Sequence, residues 1–290
     1  MKSKLSVVLS LFLASVGLPA AEPFFFIQIT DPQFGMFTEN KEFAQETASL
    51  ELAVATINRL HPAFVVMSGD VLNKPGDAAQ TAEYHRIISR VTRGIPVYPV
   101  VGNHDIGNTP SPADIAIYTN NFGPDHYTFR HEGFVGIVLN SVIIYTPDRA
   151  KAQFAEQERW LQTELKAARD QKAQQIVIFA HHPWFLKKAK EADEYFNIPG
   201  DRRARYLGWF HDAGAKYLIS GHYHQDLVAS DAGFESIATG PVGKPLGKGK
   251  SGLRIVIVRD SGIEHRFYHF GELPNTVDLT TAKPKRRAAS

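Results

Sequence analysis

Val100-Val101-Gly102-Asn103-His104-Asp105-Ile106-Gly107-Asn108 places an amide, an imidazole and a carboxylate on three consecutive positions, directly after an apolar run (Ile95, Val97, Tyr98, Val100, Val101) that reads as a buried strand. In open α/β folds ligands bind in the crevice beyond the carboxyl ends of the strands. The stretch therefore predicts a strand that delivers polar chemistry at its exit, with partners expected at the exits of other strands.

Upstream the same pattern repeats. Residues 24–29 are a strand-like apolar run ending at Thr30-Asp31-Pro32-Gln33, and residues 63–67 are a second one ending at Gly69-Asp70. Between them, Leu50, Val54 and Ile57 keep helical spacing over 42–60, with His61-Pro62 as the stop. Residues 77–93 are helical by the spacing of Tyr84, Ile87, Ile88 and Val91, and Gly94 ends them. Strand, helix, strand, helix, strand is the alternation of a parallel sheet, so the chain is α/β.

Downstream, residues 127–130 and 134–140 read as a hairpin across His131-Glu132-Gly133. A helix over 154–168 carries Leu161, Leu165 and Ala168 on one side and leads into a strand, 176–180, that ends at His181-His182. The long polar connection 185–200 precedes a helix over 202–212 and resembles the lids that connections of this length often form. A strand over 216–219 ends at Gly221-His222-Tyr223-His224. Short strands at 227–229, 234–238, 253–258 and 263–270, with Gly- and Pro-rich turns between them, predict an antiparallel sheet in the last third. Residues 272–290 turn polar, end in Lys-Pro-Lys-Arg-Arg before the last three residues, and are expected to be a disordered tail.

The ends and the composition set further bounds. Lys2 and Lys4, an apolar run over 5–18 and Pro19-Ala20-Ala21 read as a secretory signal peptide over 1–21, too short for a comfortable membrane span. The expected product is an exported protein, periplasmic or secreted, with no membrane attachment after cleavage and one catalytic domain over 22–271. Removing the two signal lysines balances the basic and acidic side chains at 30 each. A neutral chain lacks the basic surplus with which proteins grip nucleic acid, so no nucleic-acid partner is expected. The chain has no cysteine, so any metal it holds must take nitrogen and oxygen ligands.

Five strand exits thus carry candidate ligands: Asp31 with Gln33, Asp70, Asn103, His181, and His222 with His224. Singly each has an ordinary alternative, since Gly-Asp is a common turn, Asn103 could cap a helix, and a histidine is often a hydrogen-bonded core residue. His222 and His224 are stronger, because alternate side chains of an extended segment share a face. Five together point to a metal centre.

In this order the motifs resemble those of the calcineurin-like metallophosphoesterases: Asp-x-His, Gly-Asp, Gly-Asn-His-(Asp/Glu), His, Gly-x-His-x-His. Asp31-Pro32-Gln33-Phe34-Gly35, Gly102 to Pro110 and Tyr195-Phe196-Asn197 are further similar to the calcineurin-like phosphoesterase domain-containing subfamily, regarded as serine/threonine phosphatases. The resemblance implies a four-layer αββα sandwich, two mixed β-sheets flanked by helices. It implies two divalent metal ions (Mn, Fe or Zn), one held by Asp31, Asp70 and His224 and the other by Asp70, Asn103, His181 and His222. Gln33 departs from the pattern where most of the family has a ligand histidine. It either binds metal through its amide oxygen, favouring a harder ion such as Mn²⁺, or acts through water. Of the adjacent pair the motif selects His181, leaving His182 a supporting role.

Two divalent ions against the two carboxylates of Asp31 and Asp70 leave a positive centre even with a hydroxide between them, which suits a phosphate oxyanion. The implied reaction is hydrolysis of a phosphate monoester, small-molecule or phosphoprotein, by metal-activated hydroxide. His104 would protonate the leaving oxygen. Asp105 either orients His104 or caps the following turn. Lys187, Lys188 and Tyr195 are candidates to grip substrate. Two alternatives stay open: a phosphodiesterase or nuclease on the same metal core, and a binding protein without catalysis. Oligomeric state is not readable from the sequence.

Overall fold

In the computed structural model residues 22–280 are described. The expected signal peptide and residues 281–290 lie outside them. Strands are numbered β1 to β11 and helices α1 to α7 in chain order.

Two sheets form the centre. The first has five strands in the order β11-β10-β1-β2-β3: β1 (Phe24–Ile29), β2 (Val65–Met67) and β3 (Val97–Pro99) run parallel, and β10 (Gly252–Arg259) and β11 (Gly262–His269) extend it antiparallel beyond β1. The second has six in the order β4-β5-β6-β7-β9-β8. In it β5 (Phe134–Val138), β6 (Gln175–Phe179), β7 (Tyr217–Ser220) and β9 (Phe234–Ala238) are parallel, with β4 (Tyr127–His131) and β8 (Leu227–Asp231) antiparallel at its edges. Both sheets are mixed, as the sandwich expectation requires.

The alternation of β1 shows how the layers form. Phe25, Ile27 and Ile29 pack with Leu50, Val54 and Ile57 of α1 (Ala44–Leu60) and Tyr84 and Ile87 of α2 (Ala78–Ile88) on the outer face. Phe26 points the other way, into an aromatic layer between the sheets with Phe64, Phe129, Phe134 and Phe179. Phe26 and Phe64 stack with centroids 4.8 Å apart. On the far side Leu161 and Leu165 of α6 (Lys151–Asp170) and Tyr206 and Phe210 of α7 (Gly200–Ala213) cover the second sheet. The layers are helix, sheet, sheet, helix.

Gln28 is the inward-facing exception on β1. Fully buried, it donates to Ser68 Oγ and the Ser220 carbonyl at 2.9 and 3.0 Å and accepts from Thr239 Oγ1 at 2.5 Å. A buried amide of this kind is tolerated only when its partners are supplied. Here it joins the ends of β2 and β7, where the apolar layer gives way to polar loops.

Three features differ from the sequence reading. The last third is not one antiparallel sheet: β9 joins β7 in parallel, while β10 pairs with β1 in the other sheet. α2 stops at Ile88 rather than near 93. The tail expected to be disordered from 272 onward begins as an ordered strap, in which Leu273, Val277 and Leu279 pack against the first sheet's outer layer. Arg59 donates to the carbonyls of Pro274 and Asn275 at 2.7 and 3.0 Å, holding that strap down.

Three short helices were not anticipated: α3 (Asn103–Ile106), α4 (Pro112–Phe122) and α5 (Ser141–Tyr145). α4 starts with a capping box, Ser111 and Asp114 exchanging hydrogen bonds across its first turn.

Candidate metal centre

The loops leaving the carboxyl ends of β1, β2, β3, β6 and β7 converge, and each brings residues singled out in the sequence. Asp31, Gln33, Asp70, Asn103, His181, His222 and His224 are all buried. Asp31, Gln33, Asp70, His222 and His224 have positive φ, between 45° and 65°, a conformation L-residues hold only when their surroundings impose it. Glycines make the close approach feasible. A Cβ on Gly102 would lie 2.1 Å from Asp70 Oδ1, and one on Gly221 would lie 2.5 Å from Asp31 Oδ2.

Hydrogen bonds fix the side chains so that their oxygen and nitrogen atoms face one another. Asp70 Oδ1 accepts the His104 N–H at 2.8 Å, while Oδ2 lies 3.2 Å from His181 Nε2. His181 Nδ1 meets the Ser68 carbonyl at 2.8 Å, and a carbonyl can only accept, so Nδ1 carries a hydrogen and Nε2 is the nitrogen that faces the site. Asn103 donates Nδ2 to Asn108 Oδ1 at 2.9 Å and Tyr195 Oη at 3.3 Å, which turns its Oδ1 to within 3.0 Å of His181 Nε2.

The other histidines follow the same logic. His224 Nδ1 is held by the Lys244 carbonyl at 2.6 Å and Nε2 lies 3.3 Å from Asp31 Oδ1. His222 Nε2 is held by the Tyr195 carbonyl at 3.2 Å, leaving Nδ1. Asp31 Oδ2 accepts from Thr30 Oγ1 at 2.6 Å and from the His222 N–H at 3.1 Å.

Potential ligand atoms thus form two groups, Asp70-His181-His222 and Asp31-Asp70-His224, each within 4.8 Å internally, with Asp70 common to both. Inward-facing carboxylate and amide oxygens and imidazole nitrogens are the donor types that can hold a cation between them. Two further observations fit metal ions. Gln33 Oε1 is buried with no hydrogen-bond partner, and the site's electrostatics ask for positive charge. Burial alone would raise Asp70 and lower His181, yet the mutual field of the pair holds the Asp70 carboxyl well below its usual range and lifts His181 to about 9. Burial and the neighbouring His181 push His222 down to about 4. The donor set of nitrogen and oxygen suits Mn, Fe or Zn.

His104 is half-buried at the rim, its Nδ1 3.2 Å from the Asn73 carbonyl. Asp105 makes none of the contacts expected of a residue orienting His104. Its Oδ2 accepts the Gly102 N–H at 2.8 Å and its Oδ1 the Leu72 N–H at 2.9 Å, so it ties the loop after β3 to the loop after β2. Burial, with the Asp70 carboxylate nearby, raises it to about 7. His182 lies behind the site, Nδ1 3.0 Å from Ser141 Oγ and its ring stacked on Tyr145. Tyr195, half-exposed in the long connection, flanks His222 with centroids 4.9 Å apart. Lys187 and Lys188 instead neighbour Asp231 and Ala232, at the turn between β8 and β9. Sequence reasoning missed Asn73, Ser68 and Lys244, since they act on His104, His181 and His224 through backbone carbonyls.

Comparison with known proteins bears on the family and the fold. The Calcineurin-like phosphoesterase family model matches residues 26–226. The bovine serine/threonine-protein phosphatase CPPED1 is 35% identical over 266 residues, covering 87% of this chain and 85% of its own. Among solved structures, Plasmodium GAP50, described as the anchor in the inner membrane complex, superposes with a TM-score of 0.64 at 15% identity, covering 88% of this chain and 87% of its own. A dimetal phosphatase from Danio rerio gives 0.57 at 16% identity, covering 84% and 99%. At these identities the two structures speak for the fold alone.

Proposed function

Because the chain belongs to the calcineurin-like phosphoesterase family, we propose that it is a metal-dependent phosphatase hydrolysing phosphate monoesters, phosphoserine and phosphothreonine among them, at a two-ion centre. The observation that carries this is the pair of ligand groups sharing Asp70. The name of the bovine relative supports the phosphoprotein substrate.

Asp31, Asp70, His224 and Gln33 would hold one ion, and Asp70, Asn103, His181 and His222 the other. Bound ions would supply Lewis-acid polarisation of the phosphate and a lowered pKa for a coordinated water. The protein's own parts do the rest. The backbone N–H of His104 and the Ser68 and Lys244 carbonyls keep ligand atoms preoriented, so little reorganisation accompanies binding. The Asn73 carbonyl takes the Nδ1 hydrogen of His104, leaving Nε2 as the nitrogen that can carry a proton to a leaving oxygen. Tyr195 Oη accepts from Asn103 and keeps its own hydrogen available for a phosphate oxygen.

Turnover of a phosphoserine peptide and p-nitrophenyl phosphate, restored to chelator-stripped protein by Mn²⁺, tests the reading. Preferential turnover of bis-p-nitrophenyl phosphate would instead favour a diesterase, and metal binding without turnover a binding protein. The proposal includes export, on the strength of residues 1–21. A mature chain starting near Glu22 supports this, and one retaining Met1 contradicts it. Among the described residues no helix is long and apolar enough to cross a membrane.

A further inference from the structure

The amide of Gln33 is oriented by a relay that leads away from the site to a fixed anchor. An amide's oxygen and nitrogen are nearly equal in size, so neighbours decide which of them faces a cation. Gln80, in the first turn of α2 and 2% exposed, is the anchor. Its Oε1 accepts the backbone N–H groups of Asn73 at 3.0 Å and Lys74 at 3.1 Å. Backbone N–H groups can only donate, so the other end of Gln80 must be nitrogen. That Nε2 donates to Asn40 Oδ1 at 3.0 Å, and the same oxygen accepts Asn73 Nδ2 at 2.8 Å. Asn73 therefore turns Oδ1 toward Gln33 and accepts its Nε2 at 3.1 Å. Gln33 is left with a single outcome: its oxygen, buried and without a partner, is the free end.

The backbone keeps the relay against the metal loops. The Gln33 N–H donates to the Asp70 carbonyl at 2.9 Å. Gly35, at φ 101°, admits Asn40, whose Oδ1 would lie 2.7 Å from a Cβ at that position. A flipped Gln33 would turn an N–H group toward a cation, which is repulsive.

With Gln33 among the residues proposed to hold the ion of Asp31, Asp70 and His224, we infer that Gln80, Asn40 and Asn73 are positioning residues that keep the Gln33 oxygen, not its N–H, turned to that ion. This rests on the proposed two-ion centre. The place where most of the family has an imidazole is thus filled by an oxygen donor with its own orienting partners, as ligand histidines have theirs.

Calorimetric Mn²⁺ titration of chelator-stripped protein tests the inference without reference to activity, with thermal melting as a check on folding. Gln33→Leu and Asn40→Gly should each weaken one of the two binding events by about tenfold or more. Asn40 sits at φ 65°, which Gly and Asp both tolerate. Asn40→Asp should bind like the wild type, since a carboxylate oxygen accepts both relay donors. The Gln33→Leu/Asn40→Gly double variant should bind no more weakly than Gln33→Leu, because both substitutions act through one oxygen. If the wild type binds two ions and Gln33→Leu binds them as tightly, or if Asn40→Gly matches Asn40→Asp, the relay is wrong while the metal centre stands. Asn40 is exposed, so its variants report even if Gln33→Leu folds poorly. A wild type that takes up no Mn²⁺ overturns the centre and the relay together.

Discussion

His104 Nδ1 lies 3.2 Å from the Asn73 carbonyl, while the backbone N–H of the same histidine donates to Asp70 Oδ1 at 2.8 Å. One residue thus fixes the carboxylate of a candidate ligand with its main chain and has its own imidazole held by a main-chain acceptor. His104→Ala keeps the first contact and removes only the ring. Turnover of phosphoserine should fall by about 10²- to 10⁴-fold, the usual worth of a positioned acid. The loss on p-nitrophenyl phosphate should be smaller, because nitrophenolate leaves without a proton. Equal losses on both substrates would remove His104 from the proton-transfer role.

Asp105 joins two ligand loops through the N–H groups of Gly102 and Leu72. Asp105→Asn retains one acceptor oxygen and presents an amide to a backbone donor. A loss of about 1–3 kcal/mol in urea denaturation is expected, the cost of a buried donor left without its acceptor. Activity should fall by the same factor on alkyl and nitrophenyl esters. A leaving-group-dependent loss would restore Asp105 as the residue that orients His104.

Gly102→Ala places a methyl 2.1 Å from Asp70 Oδ1 and 2.2 Å from its backbone nitrogen. The backbone cannot yield cheaply, so about 1–3 kcal/mol of stability should be lost together with Mn²⁺ affinity. Gly208→Ala, inside α7 with open space at its Cβ, is the control and should be neutral or slightly stabilising. Similar behaviour of the two variants in denaturation and metal titration would contradict the close-approach argument.

Asp125 and His126 pair away from the centre, with Nδ1 and Oδ1 2.8 Å apart. Burial favours a higher Asp125 pKa, but hydrogen bonds from His126 and Asn140 outweigh it and hold the carboxyl below its ordinary 3.8. Burial favours a lower His126 pKa, but Asp125 and Glu156 lift it above 6.5. The carboxylate's contribution is present above its unfolded value and is lost as pH falls through its folded value. The histidine's is full below its unfolded value and is lost as pH rises through its folded value. The pair therefore contributes most between 3.8 and 6.5. His126→Gln should lower Tm most in that window, and the gap should narrow on the alkaline side. A gap independent of pH in scanning calorimetry would show that the pair does not titrate as described.

Much of this was legible because it is local. Period-two and period-3.6 patterning placed β1, α1, β2 and the helices that cover the second sheet, and the candidate ligand residues announced themselves by chemistry at strand exits. What was lost depends on partners distant in the chain. The segments that became β9 and β10 look alike locally, and only tertiary pairing assigns one to β7 and the other to β1. Leu273, Val277 and Leu279 are sparse in a polar segment and settle because Arg59, far back on α1, binds that segment's carbonyls. α4 carried its signal in Ser111-Pro112 and Asp114, which went unread. Ser68, Lys244 and, toward His104, Asn73 act through backbone carbonyls, which any residue type could offer. Asp105 was undecided between two roles until Leu72 supplied the second donor.

The central claim is that Asp70 is shared by two ions on which phosphatase activity depends. Metal content by mass spectrometry after Mn²⁺ reconstitution, measured beside p-nitrophenyl phosphate turnover for wild type and Asp70→Asn, tests it most directly. The expected result is about two equivalents per wild-type chain with chelator-sensitive turnover, and loss of both ions' tight binding together with turnover in the variant. A variant that keeps both equivalents and its activity, or a wild type whose activity survives removal of metal, would contradict the account.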